Sequence, residues 1–170
     1  MTKVGVIGLG DMGSGLAKNL IKAGFDVRGI DLSEERRAAF VSLGGIIAET
    51  PADAADSADA IFIMVMNGGQ VDTVLFGANG VMETLNDDAA IILTATIKPS
   101  EARKIGNRVL AAEKQIIDSP VSGGFPGAQG GTLTMMAAAP DALLESKRLV
   151  MDAVSANIHH VGTKPGEGQS

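Results

Sequence analysis

Short apolar runs alternate along the chain with stretches in which apolar residues recur every three or four positions. Val4–Ile7, Val27–Ile30, Ala60–Met66, Ala89–Leu93 and Gln115–Ile117 read as strands. Most are apolar at successive positions, as strands buried on both faces of a parallel sheet are. Between them, Met12, Leu16, Ala17, Leu20 and Ile21 share one helical face, and Gly24 ends that helix. Ser33 is placed to cap a helix over Glu34–Leu43. Thr50-Pro51-Ala52-Asp53 combines a cap, a first-turn proline and an acidic third residue. A further helix begins at Pro99, with Ala102, Ile105, Val109 and Leu110 inward, and Pro140 opens a last one that runs through Val154. Two late strands, Thr132–Ala137 and Asn157–Val161, follow a glycine-rich stretch. This alternation predicts an α/β fold: a doubly wound, mostly parallel sheet with helices on both faces and right-handed crossovers.

Composition narrows the function classes. The 170 residues suit one domain with a sizeable core. Fourteen Lys and Arg against 20 Asp and Glu leave a net charge of −6, which disfavours a nucleic-acid backbone as partner. The absence of cysteine excludes disulfides, thiolate catalysis and Cys-ligated metal, and no His/Asp/Glu spacing suggests a metal site. The longest apolar run, Ala60 to Met66, falls well short of the roughly 20 residues a bilayer needs. The apolar start of the chain is broken by glycines and followed by Asp11, unlike a signal peptide. The expected location is cytoplasmic, with no membrane partner. Glycine, at 22 residues, is well above its usual share of about 7%.

Those glycines concentrate at two places that carry chemistry. Gly8-Leu9-Gly10-Asp11-Met12-Gly13 is a G-x-G-x-x-G turn between the first strand and the first helix. Gly8 permits the tight turn, Gly10 lets the backbone approach a pyrophosphate, and Gly13 lets the helix pack close to the strand. The phosphates then rest on the positive helix N-terminus. Asp31, at the end of the second strand, is placed to accept both hydroxyls of an adenosine ribose and to repel a 2′-phosphate. The reading is therefore a Rossmann-type sheet that binds NAD in preference to NADP. Arg28, Arg36 and Arg37 lie nearby and could neutralise a 2′-phosphate, but they read better as a solvated helix face.

The second place is Asp118-Ser119-Pro120-Val121-Ser122-Gly123-Gly124, after the strand at Gln115–Ile117. In open α/β sheets ligands bind at the C-terminal ends of strands. Ser122, Gly123 and Gly124 bring a hydroxyl and unshielded backbone N–H groups together, a nest that suits a carboxylate. A loop that merely needs glycine torsions would read the same way.

These two stretches resemble the signatures of the β-hydroxyacid dehydrogenases, a group that includes 3-hydroxyisobutyrate, tartronate semialdehyde and threonate enzymes. The resemblance covers nearly the whole chain. Gly5–Gly13, running on to Leu20–Gly24, is similar to the cofactor signature. Asp118 to Gly124, with Ala128 and Gly131, is similar to the substrate signature D-x-P-V-S-G-G-x-x-x-A-x-x-G. The resemblance implies that Gly8, Leu9, Gly10, Met12, Gly13, Asp31 and Leu32 hold the cofactor. It implies that Val65 and Met66 line its adenosine side and that Thr96 approaches the nicotinamide ribose. It also implies that Ser122, Gly123 and Gly124 bind the carboxylate of a small hydroxy acid. Asn67-Gly68-Gly69-Gln70-Val71 resembles the threonate branch. Many members carry Asn-Arg where this chain has Asp31-Leu32, a departure that supports NAD.

Oxidising a hydroxyl by hydride transfer requires a group that takes the hydroxyl proton. The resemblance implies a lysine in a G-x-x-G-x-G-x-x-x-K segment. Gly166-Glu167-Gly168 match the G-x-G of that segment, with Gly162 one position further upstream than the pattern sets, and counted from Gly166 the lysine falls two residues beyond Ser170. No catalytic residue is therefore expected within the chain. Lys98, near Thr96, could face the pocket but reads better as a surface lysine at a helix entry; Lys164 reads as a linker lysine, and His159 and His160 as one packed and one solvated strand residue. The expected organisation is a dinucleotide-binding domain over residues 1–162. Residues 163–170 read as the start of a linker to an absent helical domain that closes the pocket and forms a homo-oligomer. Such a chain would bind cofactor and turn over poorly. Two other classes compete: a stand-alone nucleotide-sensing module, and a methyltransferase that uses a glycine turn for S-adenosylmethionine. The methyltransferase loop usually carries an acid where this chain has Ile7, and it leaves Ser122–Gly124 unexplained.

Overall fold

The computed structural model describes residues 1–170. Five parallel strands form its centre: β1 (Lys3–Ile7), β2 (Asp26–Ile30), β4 (Ala60–Ile63), β5 (Ala90–Leu93) and β6 (Gln115–Asp118). A two-residue strand β3 (Ile46–Ile47) adds to the β2 edge. On the other side come β7 (Val121–Ser122), β8 (Leu133–Ala138) and β9 (Ser155–Gly162). The order is β3-β2-β1-β4-β5-β6-β8-β7, with β9 also on β8. Strand β8 runs antiparallel to β6 and β7, and β9 runs parallel to β8. The order reverses between β1 and β4, the place where doubly wound sheets open a crevice at their C-terminal ends.

The central strands are buried on both faces. Along β4, Ala60 and Phe62 enter one core while Ile61 and Ile63 enter the other. Ala90 and Ile92 divide from Ile91 and Leu93 in the same way along β5. The first core also takes Leu16, Ala17 and Leu20 from α1 (Asp11–Lys22), which is why that periodicity is legible. The second takes Ala102, Ile105 and Val109 from α5 (Pro99–Ala111).

The caps form as expected. Ser33 Oγ accepts from Arg36 N ahead of α2 (Glu34–Ser42), and Thr50 Oγ1 accepts from Asp53 N ahead of α3 (Pro51–Ala55). Four readings need correction. The strand over Ala60–Met66 stops at Ile63, so Val65 and Met66 leave the sheet for a loop. Leu110 lies half exposed on α5, off the Ala102–Ile105–Val109 face. The helix after Pro140 breaks at Lys147 into α7 (Asp141–Ser146) and α8 (Arg148–Asp152). His159 and His160 are both exposed on β9, although His160 is held by the Ala139 carbonyl at 2.7 Å and stands 3.2 Å from Asp141.

Two helices escaped the pattern, α4 (Gly68–Phe76) and α6 (Gly124–Gly130), because glycines dilute their apolar faces. The larger difference is at the C-terminal end. Residues 163–170, which read as a linker, fold back on the sheet, with Pro165, Gly166 and Gly168 buried.

Candidate functional site

The parallel strands bring five loops to one edge of the sheet. The first is the glycine turn after β1. Gly8 has φ +97°, and its N–H donates to the Ile30 carbonyl at 2.9 Å. A Cβ on Gly13 would collide with the Gly8 carbonyl oxygen, so the first turn of α1 lies directly against the end of β1. Gly10 differs: it has ordinary extended torsions, and a Cβ there would meet only the Arg36 guanidinium, at 3.6 Å. The Gly10 backbone is thus open to a ligand. The first N–H groups of α1 have no partner within the helix and face this edge. These features fit a dinucleotide pyrophosphate.

Asp31 follows β2 and reaches this turn. Its Oδ2 accepts from Leu9 N at 2.8 Å and its Oδ1 from Ser33 N at 2.8 Å. The carboxylate therefore ties the glycine turn to the cap of α2, and each oxygen keeps lone-pair capacity for a further donor. Arg36 stands 3.8 Å from Oδ2 with its side chain half exposed. Arg37 Nη1 is occupied by the Asp31 carbonyl at 2.8 Å, and Arg28 lies 3.9 Å from Asp26. A cleft lined by Leu9, Gly10, Ser14, Ser33 and Arg36 opens here. Leu32 beside it is almost fully exposed.

A second cleft lies after β4 and β5. It is lined by Met66, Asn67, Gly68, Thr96, Ile97, Lys98 and Glu101. Met66 is 84% exposed, an unfavourable state for a large apolar side chain, and its backbone is held by Met66 N donating to Gln70 Oε1 at 2.7 Å. Asn67 caps α4 by accepting from Gln70 N at 2.9 Å. This Asn-x-x-Gln pairing is a helix-start signature, and it could have revealed α4 in the sequence. Thr96 is exposed on the loop between β5 and α5.

Ser122, Gly123 and Gly124 are all exposed at the start of α6, with φ of +131° and +61° at the two glycines. Their helix packs on α1. Asn19, buried in α1, donates from Nδ2 to the carbonyls of Gly15, Ala128 and Gln129 at 2.9, 2.9 and 3.0 Å. The two glycine-rich stretches of the sequence are thereby fixed against each other through neighbouring helices.

Asp118, which opens the second stretch, serves a different purpose from its neighbours. It is fully buried at the end of β6 and turned toward the C-terminal segment. Oδ2 accepts from Gly166 N at 2.7 Å and Gly168 N at 3.2 Å, and Oδ1 accepts from Gln169 Nε2 at 3.0 Å. Burial pushes its carboxyl above the usual carboxylate range, against the opposing pull of the Gln169, Gly166 and Gly168 donors. In the same segment, Glu167 Oε1 accepts from Lys164 N at 2.7 Å and Thr163 N at 3.0 Å, and these bonds hold that carboxyl below its usual range. No periodicity in the sequence points to these contacts, because the partners of Asp118 lie some 50 positions away.

The family model of the NAD binding domain of 6-phosphogluconate dehydrogenase matches residues 3–162. The chain belongs to that family, and is an NAD-binding domain. It is 35% identical over 165 residues to L-threonate dehydrogenase of Cupriavidus necator, across 97% of this chain and 56% of the relative. It is 40% identical over 162 residues to 2-(hydroxymethyl)glutarate dehydrogenase of Eubacterium barkeri, across 94% of this chain and 53% of the relative. The solved 3-hydroxyisobutyrate dehydrogenase of Salmonella typhimurium superposes with a TM-score of 0.93 at 33% identity, across 99% of this chain and 59% of that one. The chain thus spans little more than half the length of these relatives. No helix is long and apolar enough to cross a membrane.

Proposed function

We propose that the chain is the cofactor-binding part of an NAD-dependent hydroxy-acid dehydrogenase, a cytoplasmic homo-oligomer that acts on a small acid of the 3-hydroxyisobutyrate, tartronate semialdehyde/glycerate or threonate type. The observation that carries this reading is the Leu9–Asp31 hydrogen bond, which sets a carboxylate beside an open glycine turn. Gly8, Leu9, Gly10, Met12 and Gly13 would hold the pyrophosphate by backbone N–H groups at the start of α1. Asp31 would accept the adenosine ribose hydroxyls and exclude a 2′-phosphate. Leu32, Val65 and Met66 would cover the apolar parts of the adenosine, which accounts for the exposure of Leu32 and Met66. Thr96 would meet the nicotinamide ribose.

When bound, NAD supplies the hydride acceptor. Ser122, Gly123 and Gly124 would orient the substrate by gripping its carboxylate, so that the hydroxyl-bearing carbon faces the Thr96 end of the site. The reaction also needs a proton acceptor, for which the family resemblance implies a lysine. Relatives named for threonate and 3-hydroxyisobutyrate support the substrate class.

The test is a fluorescence titration of the chain with NADH and NADPH, then a hydroxy-acid panel with the longer protein. With no Trp and no Tyr, the protein contributes almost no background. Saturable NADH binding, at least tenfold weaker for NADPH, is expected. Equal affinity for both would remove the role assigned to Asp31. A stand-alone nucleotide-sensing module would bind NADH but oxidise no member of the panel.

A further inference from the structure

The segment that reads as a linker ends in a side chain with three partners. Gln169 Nε2 donates to the Ala95 carbonyl at 3.1 Å and to Asp118 Oδ1 at 3.0 Å, while its Oε1 accepts from Ile97 N at 3.2 Å. Ala95 C=O and Ile97 N–H belong to the two peptide groups that flank Thr96. One amide side chain therefore ties down the backbone on both sides of the residue at the mouth of the second cleft.

The orientation of that amide is determined. Its NH2 faces two acceptors and its oxygen faces one donor, so a flipped amide would set like against like at all three contacts. Gln169 is itself held by its neighbours. Asp118 also binds Gly166 N and Gly168 N, and Pro165 packs on Gly106 of α5. A buried carboxylate is stable in such a place only when its lone pairs are met, and here backbone and amide N–H groups meet them. The turn over 165–169 is thus built around Asp118, and Gln169 projects from it to Thr96.

We infer that Gln169 is a positioning residue for the nicotinamide end of the cofactor site. Acting through Thr96 and anchored by Asp118, it makes the geometry of that end depend on the segment after β9. The inference rests on the dinucleotide reading of the site given above. It requires that disturbing Gln169 affects the nicotinamide half of the ligand and spares the adenosine half, which binds some distance away at Gly8–Gly13 and Asp31.

The experiment compares NADH with ADP-ribose, which lacks the nicotinamide, on the 170-residue chain by calorimetry. Two substitutions are informative. Gln169→Leu removes the amide, whereas Gln169→Glu keeps its shape but sets an acceptor against Ala95 C=O and Asp118. Both should weaken NADH about fivefold or more, the size of one lost hydrogen bond, with ADP-ribose affinity within twofold of the parent. A role limited to filling space would spare the isosteric Glu variant, so undiminished NADH affinity in Gln169→Glu overturns the inference, as does equal loss of both ligands. If the variants do not fold, the unmutated chain provides the test. Amide exchange at Ile97, Gly166 and Gly168 should slow with saturating NADH and not with ADP-ribose, and identical exchange under both ligands overturns the inference. A chain that binds neither ligand refutes the dinucleotide reading itself and this inference with it. ADP-ribose binding without the NADH effect refutes only the role of Gln169.

Discussion

Leu9 donates its backbone N–H to Asp31 Oδ2 at 2.8 Å, across a gap of 22 positions in sequence. The bond joins the glycine turn after β1 to the end of β2, so the acid proposed to read the ribose also holds the loop proposed to receive the phosphates. Replacing Asp31 should therefore affect both cofactor choice and loop order.

Asp31→Arg removes a charge-assisted acceptor, an interaction of about 1.5–3 kcal/mol, and introduces a partner for a 2′-phosphate. NADH affinity should fall at least tenfold while NADPH affinity rises. Titrations with the two cofactors check this, and unchanged affinity for both would contradict the ribose role of Asp31.

Gly10 and Gly13 should separate binding from folding. The Gly10 backbone is extended, and a Cβ there has room, at 3.6 Å from the nearest heavy atom. Gly10→Ala should leave stability within about 1 kcal/mol of the parent and still reduce NADH affinity tenfold or more by blocking the approach to the pyrophosphate. Gly13→Ala drives a methyl into the Gly8 carbonyl and should destabilise by ~1–3 kcal/mol or more, with binding lost as well. Urea denaturation and cofactor titration on both variants provide the comparison.

Asn19 joins α1 to α6 through the Ala128 and Gln129 carbonyls. Asn19→Leu keeps the volume and leaves those acceptors without their donor, which should cost about 1–3 kcal/mol. A urea midpoint equal to that of the parent would show that water replaces the bridge.

Asp118 makes a signed prediction in pH. Its folded-state pKa lies above the ordinary value because burial outweighs its three donors. The native state therefore binds this proton more tightly than the unfolded chain, whose aspartates titrate near about 3.9. The associated stabilisation is complete below that value and is lost as pH rises through the folded pKa. The stability of the parent relative to Asp118→Asn should accordingly increase as pH falls from 7 toward 4. Glu167, whose carboxyl is shifted downward, is common to both proteins and cancels. Carboxyl-carbon NMR should place the Asp118 titration above the usual carboxylate range, and a titration below it would reverse the sign.

Much of this molecule is legible in its sequence for a local reason. Strands buried on both faces need unbroken apolar runs, helices with one buried face need the three-to-four spacing, and a tight phosphate turn needs glycine at fixed positions. Each of these requirements is met within about a dozen residues, so Val4–Ile7, Leu16–Leu20, Ser33, Thr50 and Gly8–Gly13 reveal their elements directly. The family signatures at Gly8–Gly13 and Asp118–Gly124 are legible for the same reason. Helices α4 and α6 were obscured by glycines, and β3 and β7 are too short to show a period. The tertiary structure alone decided which long-range partners each polar group found. That Asp31 bonds Leu9, that Asn19 bridges to α6, and that Asp118 gathers Gly166, Gly168 and Gln169 are consequences of sheet order. The order brings loops distant in sequence to one edge, where buried polar groups take whatever complementary atoms the fold places within reach. A segment rich in glycine and poor in apolar residues reads as linker for want of local preference, and here the buried Asp118 carboxyl, the Glu167 carboxylate and the Gln169 amide together give it a fixed conformation.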